Sequence, residues 1–125
     1  DAERFLLALG DAVFQEARPG DVVRRLLASG TPIAIAVQRV APERISRYGV
    51  VRPCRPPAGD VFPIDGVVEK PAQEDAPSPF AVCARYLLPN AVFAALDAEP
   101  RTEGVELPVT GAIDRLLAGG VPGSA

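Results

Sequence analysis

A glutamate and a lysine stand side by side at the end of a short apolar run, in Val68-Glu69-Lys70-Pro71. Lys70 is the only lysine among the 13 basic residues, so every other basic residue is an arginine. A lysine is a compact point charge on a flexible stem, which suits a phosphate or sugar oxygen without the bidentate geometry of arginine. The neighbouring carboxylate and the proline that restricts the exit would make a fixed polar tip. The alternative is a solvated lysine at a strand end.

Composition excludes several classes of function. The 125 residues are 48% hydrophobic, which is enough to bury the core of one globular domain. The net charge of −3 argues against nucleic-acid or acidic-membrane partners, because no basic stripe is present. The absence of histidine removes the usual general base and the commonest metal ligand. Cys54 and Cys83 have no nearby second cysteine, which favours a reduced pair over a zinc site or a disulfide.

Targeting signals and chain ends lead to further expectations. No apolar run reaches the roughly 20 residues that a membrane-spanning helix needs, so we expect no membrane partner and a cytoplasmic location. The chain does not begin with Met and contains none, which suggests a trimmed chain or a fragment of a longer one.

The first third of the chain predicts a strand, a helix and a second strand. Phe5–Leu9 is a continuous apolar run, as in a strand buried on both faces of a parallel sheet. The helix is predicted over Asp21–Ala28, with Asp21 as its N-cap, and the second strand over Ile33–Val37. This spacing predicts a right-handed βαβ unit with the two strands parallel, in an α/β fold with a mixed, mostly parallel sheet.

Shorter elements follow, separated by proline-rich loops. A helical turn is expected over Pro42–Arg47, and helices are expected after Asn90 and from Thr110. Residues 119–125 are expected to be a frayed tail. The predicted later strands are Tyr48–Val51, Asp65–Glu69 and Phe80–Leu88.

Six short blocks, taken in their order and spacing, carry a resemblance that spans roughly residues 5 to 118. Together they resemble the bacterial UTP–glucose-1-phosphate uridylyltransferases, which are sugar-1-phosphate nucleotidyltransferases with a Rossmann-like sheet and flanking helices. Each block alone is weak, but six in the family's order are a strong signal. The blocks are Phe5–Asp11, Arg47–Val51, Val68–Pro71, Ala76–Ser78, Arg85–Leu88 and Thr110–Asp114.

The resemblance assigns roles to individual residues. It implies in-line attack of a sugar 1-phosphate on the α-phosphorus of UTP, with Mg2+ held by Asp11; the alternative is that Asp11 only caps a turn. Gly49 would let the backbone approach the sugar, unless it is a simple strand-entry glycine. Glu69 would accept from sugar hydroxyls, Lys70 would bind the sugar phosphate and act in catalysis, and Arg85 would also contact substrate.

The chain also departs from the family pattern. It has no counterpart of the glycine-rich loop that holds the nucleotide triphosphate, so we expect a nucleotidyltransferase fold without its N-terminal nucleotide-loop half. Ala84 replaces the glycine usual before Arg85, and Tyr86 is expected to pack in the core. Before the last helix Glu106 is kept, whereas Pro108 and Gly111 stand in place of polar residues.

The expected organisation is a single partial domain, with residues 1–40 as the βαβ core that carries Asp11 and residues 41–118 as the sugar-binding portion. Two hypotheses stay open. In the first, the chain is a uridylyltransferase, or a portion of one, that makes no UDP-glucose by itself. In the second, it is a non-catalytic relative that works as a sugar-phosphate-binding or regulatory subunit. The expected partners are UTP and a sugar 1-phosphate, most simply glucose 1-phosphate, and a homo-oligomer or partner chain is left open.

Overall fold

The computed structural model describes residues 4–8, 20–57, 59, 61–98 and 109–125. These residues form six strands, three α-helices and two short 3-10 helices at Pro42–Arg47 and Gln73–Asp75. The helices are α1 (Asp21–Ala28), α2 (Ala91–Ala98) and α3 (Val109–Ala118). The strands are β1 (Arg4–Ala8), β2 (Ile33–Arg39), β3 (Gly49–Pro53), β4 (Pro63–Glu69), β5 (Phe80–Pro89) and β6 (Gly123–Ser124).

The strands form one mixed sheet in the order β1-β5-β2-β6-β4-β3. A further pairing between β3 and β5, through Val50 and Ala81, closes five of these strands into a ring, with β1 outside it. Val50 and Ala81 are both completely buried. The sheet is therefore a closed, barrel-like layer rather than the open sheet expected from the sequence.

The predicted relation between β1 and β2 is confirmed in direction. Both strands pair with β5 in antiparallel fashion, so they run parallel to each other, with β5 inserted between them. The expectation of a mostly parallel sheet is wrong, because among the described residues only the β2–β6 pairing is parallel. For β3 and β4 the physical reason lies in their connection, because the loop between Pro53 and Pro63 is shorter than the crossover of a dozen or more residues that parallel neighbours need.

Two apolar clusters lie on opposite faces of β2 and β5. The smaller one joins Leu26 of α1 to Ala34 and Leu87. The larger one contains Ile35, Tyr86 and Leu88 together with buried residues of α2, α3 and β4. Within the part of the chain that the structure describes, no helix is both long and apolar enough to cross a membrane.

Helix α1 has the predicted bounds but a different start. Gly20 is the N-cap, with a left-handed φ of 83°. Asp21 is instead the first helical residue, and its carboxylate pairs with Arg24 at 2.8 Å. A glycine takes this backbone conformation without the steric cost that a Cβ atom brings.

The C-terminal tail is an ordered strand, which corrects the expected fraying. Gly123 and Ser124 form β6, which pairs with β2 on one side and with β4 on the other. The backbones of Phe62 and Ala125 exchange two hydrogen bonds of 3.0 and 2.9 Å. Residues 119–125 carry little apolar periodicity, so the pairing of β6 is a tertiary effect and not a local one.

Candidate functional site

One end of the β3–β4 hairpin brings Gly49 and Glu69 face to face. The two residues are cross-strand partners at the last pair of the antiparallel ladder. The hairpin forms because Val50, Val51 and Val67 are β-branched and buried, which favours extended backbone packed on a core. The sequence-predicted pair of Gly49 and Glu69 is therefore assembled by strand register.

Thr110, in the first turn of α3, completes this end of the hairpin. Its hydroxyl donates a hydrogen bond to Oε2 of Glu69. A Cβ atom at position 49 would lie only 3.1 Å from Thr110 Cγ2, 3.6 Å from Val82 Cγ2 and 3.8 Å from Glu69 Oε2. The missing side chain of Gly49 is thus what allows α3 to approach β3 here, a packing role that the sequence did not indicate.

Lys70 follows Glu69 in a left-handed backbone conformation, with φ of 46°. Among the described non-glycine residues it is the only one with positive φ. Its N–H donates to the Tyr48 carbonyl oxygen at 2.9 Å, and the next residue, Pro71, is buried. A lysine in this region carries backbone strain, which structures tend to retain at functional positions. The Lys70 side chain itself is exposed.

Tyr86 lies in the core, as the sequence predicts, and also near the Glu69 carboxylate. Its side chain is 4% exposed and packs in the larger cluster. Burial is the main cause that raises the pKa of Tyr86 to about 12, and the nearby Glu69 carboxylate contributes in the same direction. The phenol is therefore neutral at physiological pH.

Arg85 lies on the opposite face of β5 from Tyr86. Successive side chains of a strand alternate between faces, and Leu87, two residues on from Arg85, packs against α1. The structure thus brings Gly49, Glu69 and Lys70 together but does not join Arg85 to them. The register of β2 against β5 shifts at this point, with Ile35 opposite Tyr86 and Val37 opposite Val82. The additional residues of this irregularity lie on β5, between Val82 and Tyr86.

The predicted metal ligand Asp11 lies outside the described residues, as do Glu106 and Pro108. Within the described part of the chain, no group of three or more His, Cys, Asp or Glu side chains could hold a metal ion. Gly111 is accommodated in the first turn of α3, so it does not prevent the helix from starting at Val109.

Two residues of α3 have roles that the sequence did not reveal. Asp114 Oδ1 accepts a hydrogen bond of 2.9 Å from the backbone N–H of Val67, beyond the point where β6 ends. Thr110 and Asp114 thereby join the helix to both Glu69 and β4. The sequence did contain a signal, because Thr110 and Asp114 are polar residues four positions apart in a mostly apolar helix. A local pattern cannot, however, predict partners that are more than 40 residues away.

A cavity of about 310 Å³ lies on the α1 side of the sheet and contains none of these site residues. Its lining is mostly apolar and includes Leu26, Ala34 and Cys83. Burial raises the pKa of the Cys83 thiol to about 11, so the thiol is protonated and a poor nucleophile. We therefore place the candidate site at the hairpin end and not at this cavity.

The mixed sheet, its helices and the hairpin-end cluster define a nucleotidyltransferase-like α/β fold. The family model described as "Nucleotidyl transferase" matches residues 1–120, and the chain belongs to this family. The resemblance drawn from the six sequence blocks is confirmed by this match and by the relatives below.

Named relatives narrow the comparison. The chain is 34% identical over 119 residues to UTP–glucose-1-phosphate uridylyltransferase 2 of Streptococcus pyogenes serotype M3, covering 91% of this chain and 40% of the relative. It is 35% identical over 115 residues to UTP–glucose-1-phosphate uridylyltransferase YngB of Bacillus subtilis, and this match covers 89% of this chain and 37% of the relative. A crystal structure of UDP-glucose pyrophosphorylase complexed with UDP-glucose superimposes with a TM-score of 0.81 at 28% identity. The superposition covers 98% of this chain and 47% of the pyrophosphorylase chain. The chain therefore spans less than half of the length of each of these proteins.

Proposed function

We propose that this chain provides the sugar-1-phosphate side of a uridylyltransferase site, which forms UDP-glucose and pyrophosphate from UTP and glucose 1-phosphate. The names of the relatives support this choice of substrates, and one of the superimposed structures holds UDP-glucose. The proposal concerns the whole site, of which the described residues form one part.

The observation that carries the proposal is the cluster at the end of the β3–β4 hairpin. Gly49 and Glu69 are paired there, and Lys70 follows with its backbone held by Tyr48. An acceptor for hydroxyl groups and a cation for a phosphate thus stand on consecutive residues of a rigid hairpin. This is the pair of groups that recognition of a sugar phosphate requires.

Each residue has a distinct role in the proposed site. The Glu69 carboxylate accepts hydrogen bonds from sugar hydroxyls, and the Lys70 ammonium neutralises the phosphate whose oxygen attacks the α-phosphorus of UTP. Positioning and charge neutralisation account for most of the catalysis of phosphoryl-transfer reactions, so a site without histidine is adequate. Gly49 leaves room for Thr110 to pack beside Glu69.

We propose Asp11 as the residue that would hold a magnesium ion. A carboxylate together with substrate phosphates is normal magnesium coordination, and the ion would supply neutralisation of phosphate charge. Asp11 itself lies outside the described residues.

Calorimetric titration of the chain with glucose 1-phosphate tests the proposal. The wild-type chain should bind glucose 1-phosphate, and Lys70→Ala should bind it roughly tenfold or more weakly, since a charge-assisted hydrogen bond is lost. Inorganic phosphate should compete, because it occupies the Lys70 end of the same site.

Arg55→Ala is the matched control. It also removes one exposed cation, but from the loop at the opposite end of the β3–β4 hairpin, next to the Pro53–Ile64 pair. We expect this variant to bind as the wild type does. The proposal is wrong if the wild-type chain takes up no glucose 1-phosphate, or if Lys70→Ala and Arg55→Ala bind it equally well.

A further inference from the structure

We propose that Thr110 is a positioning residue that holds the Glu69 carboxylate in the orientation needed to receive sugar hydroxyls. This inference rests on the proposed function and goes beyond it, because it assigns selectivity for the sugar to a residue that does not itself touch the ligand. Three features of the hairpin end carry it.

The first feature is the rigidity of Thr110. Its side chain is 5% exposed, and it lies in the first turn of a helix that Asp114 ties to β4. A β-branched residue in a helix has few χ1 rotamers, and a buried one has fewer still. The Thr110 hydroxyl therefore has a fixed position relative to the hairpin.

The second feature is the freedom that Glu69 would otherwise have. Its side chain is exposed at the end of β4, and an exposed glutamate samples many rotamers. Within the described part of the chain, Thr110 is the one hydrogen-bond donor to this carboxylate, and it binds Oε2. The other oxygen, Oε1, is left available for a ligand hydroxyl in a defined direction.

The third feature is the space above Gly49. The Thr110 methyl group occupies this space, at 3.1 Å from where a Cβ atom of residue 49 would be. Gly49 thus acts on Glu69 through Thr110, since any side chain at position 49 would push the hydroxyl away from the carboxylate. Three residues far apart in sequence fix one acceptor oxygen.

Ordering an acceptor before the ligand arrives lowers the entropy lost on binding. Removal of the Thr110 hydroxyl should therefore weaken recognition of the sugar and leave recognition of the phosphate intact. A purely structural threonine would instead affect both ligands equally, through the stability of the fold.

Two substitutions separate the hydroxyl from the shape of the side chain. Thr110→Val keeps the shape and removes the hydroxyl, and it should bind glucose 1-phosphate roughly threefold to tenfold more weakly than the wild type. Its affinity for inorganic phosphate should not change. Thr110→Ser keeps the hydroxyl and should restore the affinity for glucose 1-phosphate close to that of the wild type.

A double-mutant cycle then tests whether Thr110 acts through Glu69. In a Glu69→Ala background the carboxylate is absent, so Thr110→Val should change the affinity for glucose 1-phosphate by less than about twofold. A full effect of Thr110→Val in that background would overturn the inference, because the threonine would then act by another route.

The remaining outcomes also decide the matter. If the wild type binds glucose 1-phosphate and Thr110→Val binds it equally well, this inference fails and the proposed function stands. It fails likewise if Thr110→Val loses inorganic phosphate and glucose 1-phosphate in equal measure, or if Thr110→Ser binds as poorly as Thr110→Val. If the wild type binds no glucose 1-phosphate, the proposed function is wrong, and this inference, which rests on it, is wrong as well.

Discussion

Gly49 lies at the start of β3, where the candidate site leaves little room for a side chain. Alanine there would gain about 0.5–1 kcal/mol from the lower backbone entropy of the unfolded chain. Overpacking against the rigid Thr110 methyl group, 3.1 Å away, would cost about 1–3 kcal/mol. The second term is the larger, so Gly49→Ala should lower the free energy of unfolding by about 1 kcal/mol, as urea denaturation would measure.

Gly59→Ala is the control for this substitution. A Cβ atom at position 59 would meet nothing within 4 Å, and the residue is exposed. We expect this variant to be as stable as the wild type or slightly more stable. Equal stability of Gly49→Ala and Gly59→Ala would show that α3 can move away from β3 without cost.

The buried phenol of Tyr86 should make the fold sensitive to high pH. The pKa of Tyr86 is raised from 10.0 to about 12 in the folded chain. Between these two values the unfolded chain has released the proton and the folded chain still holds it, so the stability from Tyr86 is full below pH 10 and is lost as pH rises toward 12. The loss is about 2–3 kcal/mol.

Tyr86→Phe should remove this part of the pH dependence. Denaturation midpoints measured from pH 9 to pH 12 should fall less steeply in Tyr86→Phe than in the wild type. Some decline will remain, because the pKa of Cys83 is also raised by burial, from 9.0 to about 11. Parallel curves for the two proteins would mean that Tyr86 ionises in the folded state as readily as in the unfolded one.

At the scale of elements, the site depends on how α3 is attached to β4. Asp114 accepts from the Val67 N–H, a backbone donor that β6 is too short to reach. Asp114→Ala would leave this donor unpaired beside the buried Val67 side chain, which should cost about 1–3 kcal/mol of unfolding free energy. Thermal or chemical denaturation measures the loss.

Asp114→Asn tests the cause, because asparagine keeps an acceptor oxygen of the same reach. This variant should retain most of the stability that Asp114→Ala loses. The helix also carries Thr110, so Asp114→Ala should weaken glucose 1-phosphate binding as well. Similar losses in the Ala and Asn variants would point to the charge of Asp114, near Arg52, and not to the hydrogen bond.

At the scale of the whole molecule, β6 closes the ring of strands. A Cβ atom at position 123 would lie 2.5 Å from Leu117 Cδ2 and 3.3 Å from Ile64 Cγ1, both in the buried core. Gly123→Ala should therefore lower the free energy of unfolding by about 1–3 kcal/mol, because α3 and β4 must both move to admit the methyl group.

Gly119→Ala is the matched control, four residues earlier. A Cβ atom there would make only ordinary contacts, at 3.5 Å, with backbone oxygens of Arg115 and Leu116. Its stability should be near that of the wild type. If Gly123→Ala is equally harmless, β6 contributes little to closure of the sheet.

Local patterns in the sequence were enough to predict most of the elements and the adjacent polar pair at the end of β4. The bounds of α1, the turn at Pro42–Arg47 and the strand cores follow from apolar periodicity and from proline and glycine signals, which act within a few residues. The adjacency of Glu69 and Lys70 is likewise a property of the chain. The six family-like blocks also led to the nucleotidyl transferase family, because the order of the blocks along the chain is recognisable even where the segments between them differ.

Tertiary structure alone decided which elements became neighbours. Strand β5 lies between β1 and β2, and residues 123–124 join the sheet as β6. Both arrangements depend on long-range strand pairing that no local pattern encodes. The Thr110–Glu69 hydrogen bond spans 41 residues. Local propensity can place a threonine on a helix and a glutamate on a strand, but only the packing of α3 over Gly49 makes them partners, since contact between distant residues depends on the energy of the whole core.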